Sequence, residues 1–146
     1  MLARRPLSEG EVAQRLGRKG VTEGEIARVL ARLRDLRWID DAVLCLRLAR
    51  SYQERRRYGP AKIAWTLASR RFPRELVACA LREVASPEQV TVAAAMALRK
   101  KFREGIPPGR EGAAKAYRFL AGRGFPPGVC RAAIGRRWNE SFEGEE

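Results

Sequence analysis

Gly59 to Leu81 reads GPAKIAWTLASRRFPRELVACAL, and two further stretches of this 146-residue chain align with it without a gap. They are Ser8 to Leu30 (SEGEVAQRLGRKGVTEGEIARVL) and Gly112 to Ile134 (GAAKAYRFLAGRGFPPGVCRAAI). Leu16, Leu67 and Leu120 share one aligned position, Val21, Phe72 and Phe125 a second, Ile26, Val77 and Cys130 a third, and Leu30, Leu81 and Ile134 a fourth. One basic position also coincides: Lys19, Arg70 and Arg123. Recurrence at 51 and then 53 residues marks a repeat architecture, in which each unit buries its apolar face against itself and its neighbours.

Working outward, the flanking residues complete the unit. Ser8-Glu9-Gly10-Glu11, Thr22-Glu23-Gly24-Glu25 and Ser86-Pro87-Glu88-Gln89 each fit a capping box, in which an N-cap hydroxyl and an acidic or amide side chain three residues on satisfy each other's backbone donors. Gly20 suits a left-handed stop to the first helix, and Ile26, Val29, Leu30 and Leu33 form one stripe of the second. Asp40 and Asp41 are natural caps for a longer helix over residues 42–57, whose Cys45, Leu48, Ala49 and Tyr52 share a face. Tyr58-Gly59-Pro60 stops it, and Pro60 and Pro73 each suit a first helical turn, where the missing donor is unused.

After Ser86 a second long helix aligns Val90, Ala94, Ala97, Leu98 and Phe102 and ends near Gly105. A Pro- and Gly-rich loop over residues 105–109 follows, and then two short helices over 111–122 and 126–137. No period-two alternation suggests a hairpin. The expected fold is therefore all-α, built of tandem three-helix repeats in which a long helix precedes two short ones. The repeats occupy residues 1–39, 40–85 and 86–146, the third with a short acidic tail (Glu143, Glu145, Glu146). Only Met1 to Pro6 precede the first short pair, so the long helix of repeat 1 is expected to be a stub or missing.

Formal net charge is +13, with 25 Arg and five Lys among the 30 basic residues. Such an excess favours a polyanionic or strongly acidic partner, while the preference for Arg over Lys also follows from a GC-rich genome. The charge is even along the chain: nine basic against five acidic residues, ten against five, and eleven against seven in the three repeats, or +4, +5 and +4. Cys45, Cys79 and Cys130 are odd in number, far apart and flanked by apolar residues, and read as buried small hydrophobes. No apolar run reaches membrane-spanning length and residues 1–11 lack a signal peptide's apolar stretch, so a cytoplasmic protein with no membrane association is expected. A monomer is also expected.

Chemistry finds little to build on. Histidine is absent, which removes the usual general base and any Ser-His-Asp or Cys-His arrangement. There is no CxxC pair for zinc, Asp40-Asp41 is better explained by helix capping than by catalysis, and the glycines at 105, 109 and 112 never form a phosphate loop. The reading is a binding protein without catalytic residues, metal or cofactor.

Candidate binding residues are the basic clusters: Arg18 with Lys19, Arg55-Arg56-Arg57, Arg70 with Arg71, and Arg118 with Arg123, together with Lys62. Lys19, Arg70 and Arg123 fall at the end of a short helix, where a cation also complements the helix dipole, so a purely structural role accounts for them equally well. Trp65 aligns with the polar Gln14 and Arg118 and is the best candidate for an exposed, stacking aromatic, whereas Phe72, Phe119 and Phe125 sit at packing phases. Lys100-Lys101 and Arg136-Arg137 read first as solvated faces, with contact to a partner as the lesser alternative.

In order and spacing, several motifs resemble the RecX regulators of bacterial recombinases: Ser8-Glu9, Leu16 with Lys19-Gly20, LRDLRWIDD over residues 33–41, Tyr58-Gly59-Pro60 with Ile63 and Leu67, and Tyr117-Arg118-Phe119-Leu120 leading to Arg123-Gly124-Phe125. Where this chain has Arg37 the family pattern has Gly, where it has Arg70-Arg71 the pattern has Lys-Gly, and at Leu44-Cys45 an aromatic residue followed by Ala. The resemblance implies an elongated, curved protein of three-helix repeats. Its partner would be the RecA recombinase filament on single-stranded DNA, whose ATPase and strand exchange it would modulate and mainly inhibit, with contact to the single-stranded DNA also possible. A DNA- or RNA-binding module of helix-turn-helix-like units is the competing reading.

Overall fold

The computed structural model describes the backbone of residues 5–143 and side chains as far as Asn139. The side chains of the expected acidic tail, and residues 1–4 of the expected N-terminal stub, lie outside the described residues. Among the described residues the chain is all helix: α1 (Glu9–Arg18), α2 (Glu23–Asp35), α3 (Asp41–Arg56), α4 (Pro60–Ser69), α5 (Arg74–Val84), α6 (Pro87–Lys101), α7 (Gly109–Gly122) and α8 (Pro127–Glu143).

Caps set these boundaries. Ser8 and Ser86 form complete capping boxes with Glu11 and Gln89, while Thr22 supplies only half of one, accepting from the Glu25 N–H at 3.3 Å. Asp40 caps α3, accepting from Val43 N–H at 3.2 Å. Its neighbour departs from expectation. Asp41 is the first residue of α3 rather than a second cap, is buried, and accepts the Glu9 N–H at 3.0 Å, which ties the start of α1 to repeat 2. α7 begins at Gly109, earlier than the expected residue 111.

The three aligned short helices end alike. The N–H of Val21, Phe72 and Phe125 reaches back to the carbonyl of Leu16, Leu67 and Leu120 at 3.1, 3.3 and 3.2 Å. The residue before each is left-handed: Gly20 at φ 85°, Arg71 at 63° and Gly124 at 90°. This six-to-one closure is the Schellman cap. It recurs at the end of α2, where Trp38 N–H meets Leu33 O at 2.9 Å and Arg37 has φ 57°. Arg37 and Arg71 are the two positions where the family pattern carries glycine, and the conformation supplies the reason.

Repeats 2 and 3 each close a core. In repeat 2, α3 lies on α4 and α5, burying Cys45, Ala49, Ile63, Leu67, Phe72 and Val77. In repeat 3, α6 lies on α7 and α8, burying Ala94, Leu98, Ala116, Leu120, Phe125 and Cys130. Repeat 1 has only the α1–α2 pair among the described residues, and neither helix contains a buried residue. Val29 shows the consequence: it is 40% exposed, whereas its aligned counterparts Ala80 and Ala133 are buried beneath the long helix of their repeats.

Cys79 departs from the expected burial. The buried stripe of α5 is Val77, Ala80 and Val84, and residue 79 lies roughly 200° around the helix from Val77. It is exposed, and its sulfur accepts from Arg82 Nη2 at 3.1 Å. Cys45 and Cys130 are buried as expected.

Candidate functional site: a basic cleft between repeats

The two junctions between repeats are built alike, and the aligned basic position is central to both. At the first, Arg70 ends α4 and donates to Pro6 O at 2.6 Å and to Glu11 Oε1 at 2.8 Å, while Ser8 Oγ donates to the Arg70 carbonyl at 2.5 Å. At the second, Arg123 ends α7 and donates to the carbonyl of Arg56, while Gly59 N–H donates to the Arg123 carbonyl at 2.7 Å. Ser8 and Gly59 are aligned N-cap positions. The start of a short helix in one repeat is therefore seated on the end of the equivalent helix in the next, and the aligned arginine reaches the carbonyl two or three residues before that N-cap.

Close approach accompanies each junction. A Cβ built on Gly10 would lie 2.5 Å from the Arg71 Cβ, and one on Gly59 would lie 2.5 Å from the Gly124 carbonyl carbon and oxygen. Arg71 itself donates to Gln14 Oε1 at 3.0 Å. Arg70 and Arg71 are thus engaged in joining repeats 1 and 2. Lys19, the third member of the series, is exposed together with Arg18 at the end of α1.

Beside the second junction a cavity of about 530 Å³ opens between repeats, lined by Arg55, Arg56, Arg57, Tyr58, Ala97, Lys100, Lys101, Phe119 and Arg123. Local structure puts them there. α3 ends with Arg57 in the left-handed conformation (φ 54°), Tyr58 N–H returns to Tyr52 O at 3.1 Å, and the two tyrosine rings stack at 5.9 Å. The last turn of α6 supplies Lys100 and Lys101, and α7 supplies Phe119 and its C-cap Arg123.

Aromatic faces hold the cations in place. Arg123 lies over Phe119 at 5.2 Å and Tyr58 at 5.8 Å from the ring centroids, Lys62 over Tyr58 at 5.0 Å, and Lys101 over Phe119 at 5.9 Å. The hydrogen bond from Arg56 to the Tyr58 hydroxyl, at 3.4 Å, holds that phenol below its ordinary pKa against the opposing effect of burial, helped by the charges of Arg56, Lys62 and Arg123. The cleft is a site of strongly positive potential.

Of the sequence candidates, Arg55, Arg56, Arg57 and Arg123 are brought together in this cleft, and Lys62 stands at its edge over Tyr58. Arg118 lies apart, lining a shallow groove with Arg110 and Lys115. Trp65 is 70% exposed on α4, in keeping with its alignment with polar residues. Lys100, Lys101 and Phe119 read from the sequence as solvated or packing residues, and their place in the cleft depends on how repeat 3 meets repeat 2. Among the described residues no group of His, Cys, Asp or Glu could hold a metal, and no helix is long and apolar enough to cross a membrane.

Comparison with known proteins bears on the whole chain. A regulatory protein RecX of Halorhodospira halophila is 33% identical over 134 residues, covering 91% of this chain and 81% of that protein. The chain belongs to the RecX family. The family description "RecX, first three-helix domain" matches residues 1–33, and "RecX, third three-helix domain" matches residues 88–134. A regulatory protein RecX of Thermus thermophilus is 38% identical over 106 residues, 71% of this chain and 64% of that protein. Two crystal structures of RecX proteins share the fold, one from Lactobacillus salivarius with a TM-score of 0.76 at 19% identity (92% of this chain, 88% of that one), the other with a TM-score of 0.73 at 22% identity (92% and 66%).

Proposed function

We propose that this chain is a regulator that binds the RecA recombinase filament on single-stranded DNA and modulates, mainly inhibits, its ATPase and strand-exchange activities. The observation that carries this reading is the cleft at the second of two similarly built junctions, which gathers six cations with no lining carboxylate. A basic surface built of repeats suits a polymer whose subunits and DNA offer negative charge at regular intervals. Arg55, Arg56, Arg57, Lys62 and Arg123 face that partner at the cleft, with Trp65, Arg18, Lys19 and Arg118 as outlying contacts. Arg70 and Arg71 act by holding repeats 1 and 2 in register.

The test is inhibition of the cognate recombinase's ATPase across a salt series. Phosphate-mediated binding to naked DNA falls steeply with salt. Inhibition that persists after naked-DNA binding is lost supports contact with the recombinase, and inhibition that disappears in step with DNA binding at every salt concentration favours the helix-turn-helix-like DNA-binding module instead.

A further inference from the structure

The cleft between repeats 2 and 3 has a charge balance that specifies its occupant more narrowly than "negative". Three helix ends converge there: the last turns of α3 and α6 and the C-cap of α7. Each helix C-terminus contributes about half a negative charge, so together they offset about 1.5 of the six positive charges on Arg55, Arg56, Arg57, Lys100, Lys101 and Arg123. No carboxylate lines the cavity to balance the rest. About 4.5 positive charges therefore remain around a single cavity of about 530 Å³, a size typical of small-molecule sites.

We infer that this cleft binds a compact oligophosphate, the triphosphate chain of a free nucleotide or inorganic tripolyphosphate. The inference rests on reading the cleft as the functional site. A nucleoside triphosphate brings roughly four negative charges into a short chain, about one on each of two bridging groups and about two on the terminal group, and inorganic tripolyphosphate, with two terminal groups, brings about five. A single-stranded polynucleotide carries one charge per nucleotide, so the one or two phosphates that the cavity can enclose leave most of the cations uncompensated.

The donor types agree with that ligand. Arginine offers a planar fork to two phosphate oxygens, and lysine a point charge for a third. Arg123 is already held by the Arg56 carbonyl and by the Phe119 and Tyr58 rings, so little of its freedom remains to be lost on binding. Because α3 and its C-terminal turn belong to repeat 2, and α6 and α7 to repeat 3, an oligophosphate in the cleft clips the two repeats together and couples its own concentration to the angle of the stack.

Isothermal titration of the full chain with tripolyphosphate, a nucleoside triphosphate, a thymidine 15-mer and poly-glutamate tests this directly. One-to-one binding of tripolyphosphate is expected, weakened at least tenfold in Lys100→Ala/Lys101→Ala and in Arg55→Gln, and unchanged in an Arg28→Ala/Arg32→Ala control on α2. Ring contacts add affinity if the nucleoside triphosphate binds more tightly than tripolyphosphate, and equal affinities assign recognition to the phosphate chain alone. Both results uphold the site. Occupancy also moves the Tyr58 phenol back toward its ordinary pKa, read as the ultraviolet titration that Tyr58→Phe removes.

Three results overturn the inference: no tripolyphosphate binding, equal binding by the cleft variants, or the 15-mer or poly-glutamate occupying the cleft while tripolyphosphate fails to displace it. Recombinase assays on the same preparations separate the two claims. A protein that inhibits the recombinase yet ignores tripolyphosphate refutes only this site, and one that binds tripolyphosphate yet never inhibits refutes only the regulatory reading.

Discussion

Arg70 and Glu11 stand 59 residues apart in the chain and form an ion pair at 2.8 Å, with side chains only 12% and 14% exposed. Neither α1 nor α2 contains a buried residue, and among the described residues the buried apolar side chains of repeat 1 are Leu7 and Ile39, on either side of the helix pair. Polar contacts that join repeat 1 to repeat 2 include this pair, the Ser8 bond to the Arg70 carbonyl, and the Glu9 bond to Asp41. Removing either partner of a shielded, charge-assisted bond costs about 1.5–3 kcal/mol. Arg70→Ala should cost more than Glu11→Ala because it also loses Pro6, and the double mutant should cost less than the two together. Urea unfolding of the four proteins measures the coupling, and zero coupling removes the pair from the junction's energetics.

The same contact sets a pH dependence. Burial pushes the Glu11 carboxyl up, but the hydrogen bonds from Arg70 and the Ser8 N–H and the charges of Arg70 and Arg5 outweigh it, so its pKa lies below the ordinary 4.5. A lowered folded-state pKa means the stabilisation is fully present above the unfolded value and fades as pH falls through the folded one. The stability difference between the natural chain and Glu11→Gln should therefore be largest at neutral pH and shrink below about pH 4.5. A difference that stays constant with pH contradicts this assignment.

Two glycines should respond oppositely to alanine. Gly59 has an ordinary backbone conformation, but a Cβ there meets the Gly124 carbonyl at 2.5 Å and the Phe125 nitrogen at 2.6 Å. Gly59→Ala should lose about 1–3 kcal/mol through this overlap. Gly17 lies in α1, where an added methyl would meet nothing within 4 Å, so Gly17→Ala should gain up to about 1 kcal/mol of helix propensity. Melting temperatures of the two variants decide both.

Arg37 occupies the left-handed conformation at φ 57° on an exposed turn. An L-residue pays about 1–2 kcal/mol there, part of which glycine returns through its freer unfolded chain. Arg37→Gly should stabilise the protein by about 0.5–1 kcal/mol, seen as a higher denaturant midpoint with an unchanged slope.

Thiol chemistry should single out one cysteine. Cys79 is exposed, whereas Cys45 and Cys130 are buried, and burial together with the Asp41 and Cys79 charges pushes the Cys45 thiol up to about 11. An aromatic disulfide reagent should titrate one thiol in the native chain and all three after unfolding, and Cys79→Ser should abolish the native reaction. Native labelling of Cys45 would indicate that the repeat 2 core opens.

How much is legible in the sequence follows from which interactions are local. Caps at Ser8, Asp40 and Ser86 and the Schellman turns after Leu16, Leu67 and Leu120 are decided within six residues, and the gapless alignment exposes them together. Cys79 reads wrongly as buried because apolar neighbours alone do not give the helix phase. Lys100 and Lys101 carry no local mark distinguishing them from any solvated pair.

By itself, then, the sequence determined an all-α chain of repeats, its helix ends and the side chains that share each apolar face, because those depend on propensity, periodicity and hydrogen bonds between near neighbours. It also aligned Lys19, Arg70 and Arg123. Only the tertiary structure decided what became of them: Arg70 is enclosed against Glu11, Arg123 is held between two rings and a carbonyl, and Lys19 is left in solvent. The reason is physical. The electrostatic role of a cation depends on which groups come within a few ångströms, and here Glu11, the Arg56 carbonyl and Tyr58 arrive from the neighbouring repeat, some 50 to 70 residues away, with Phe119 alone supplied locally.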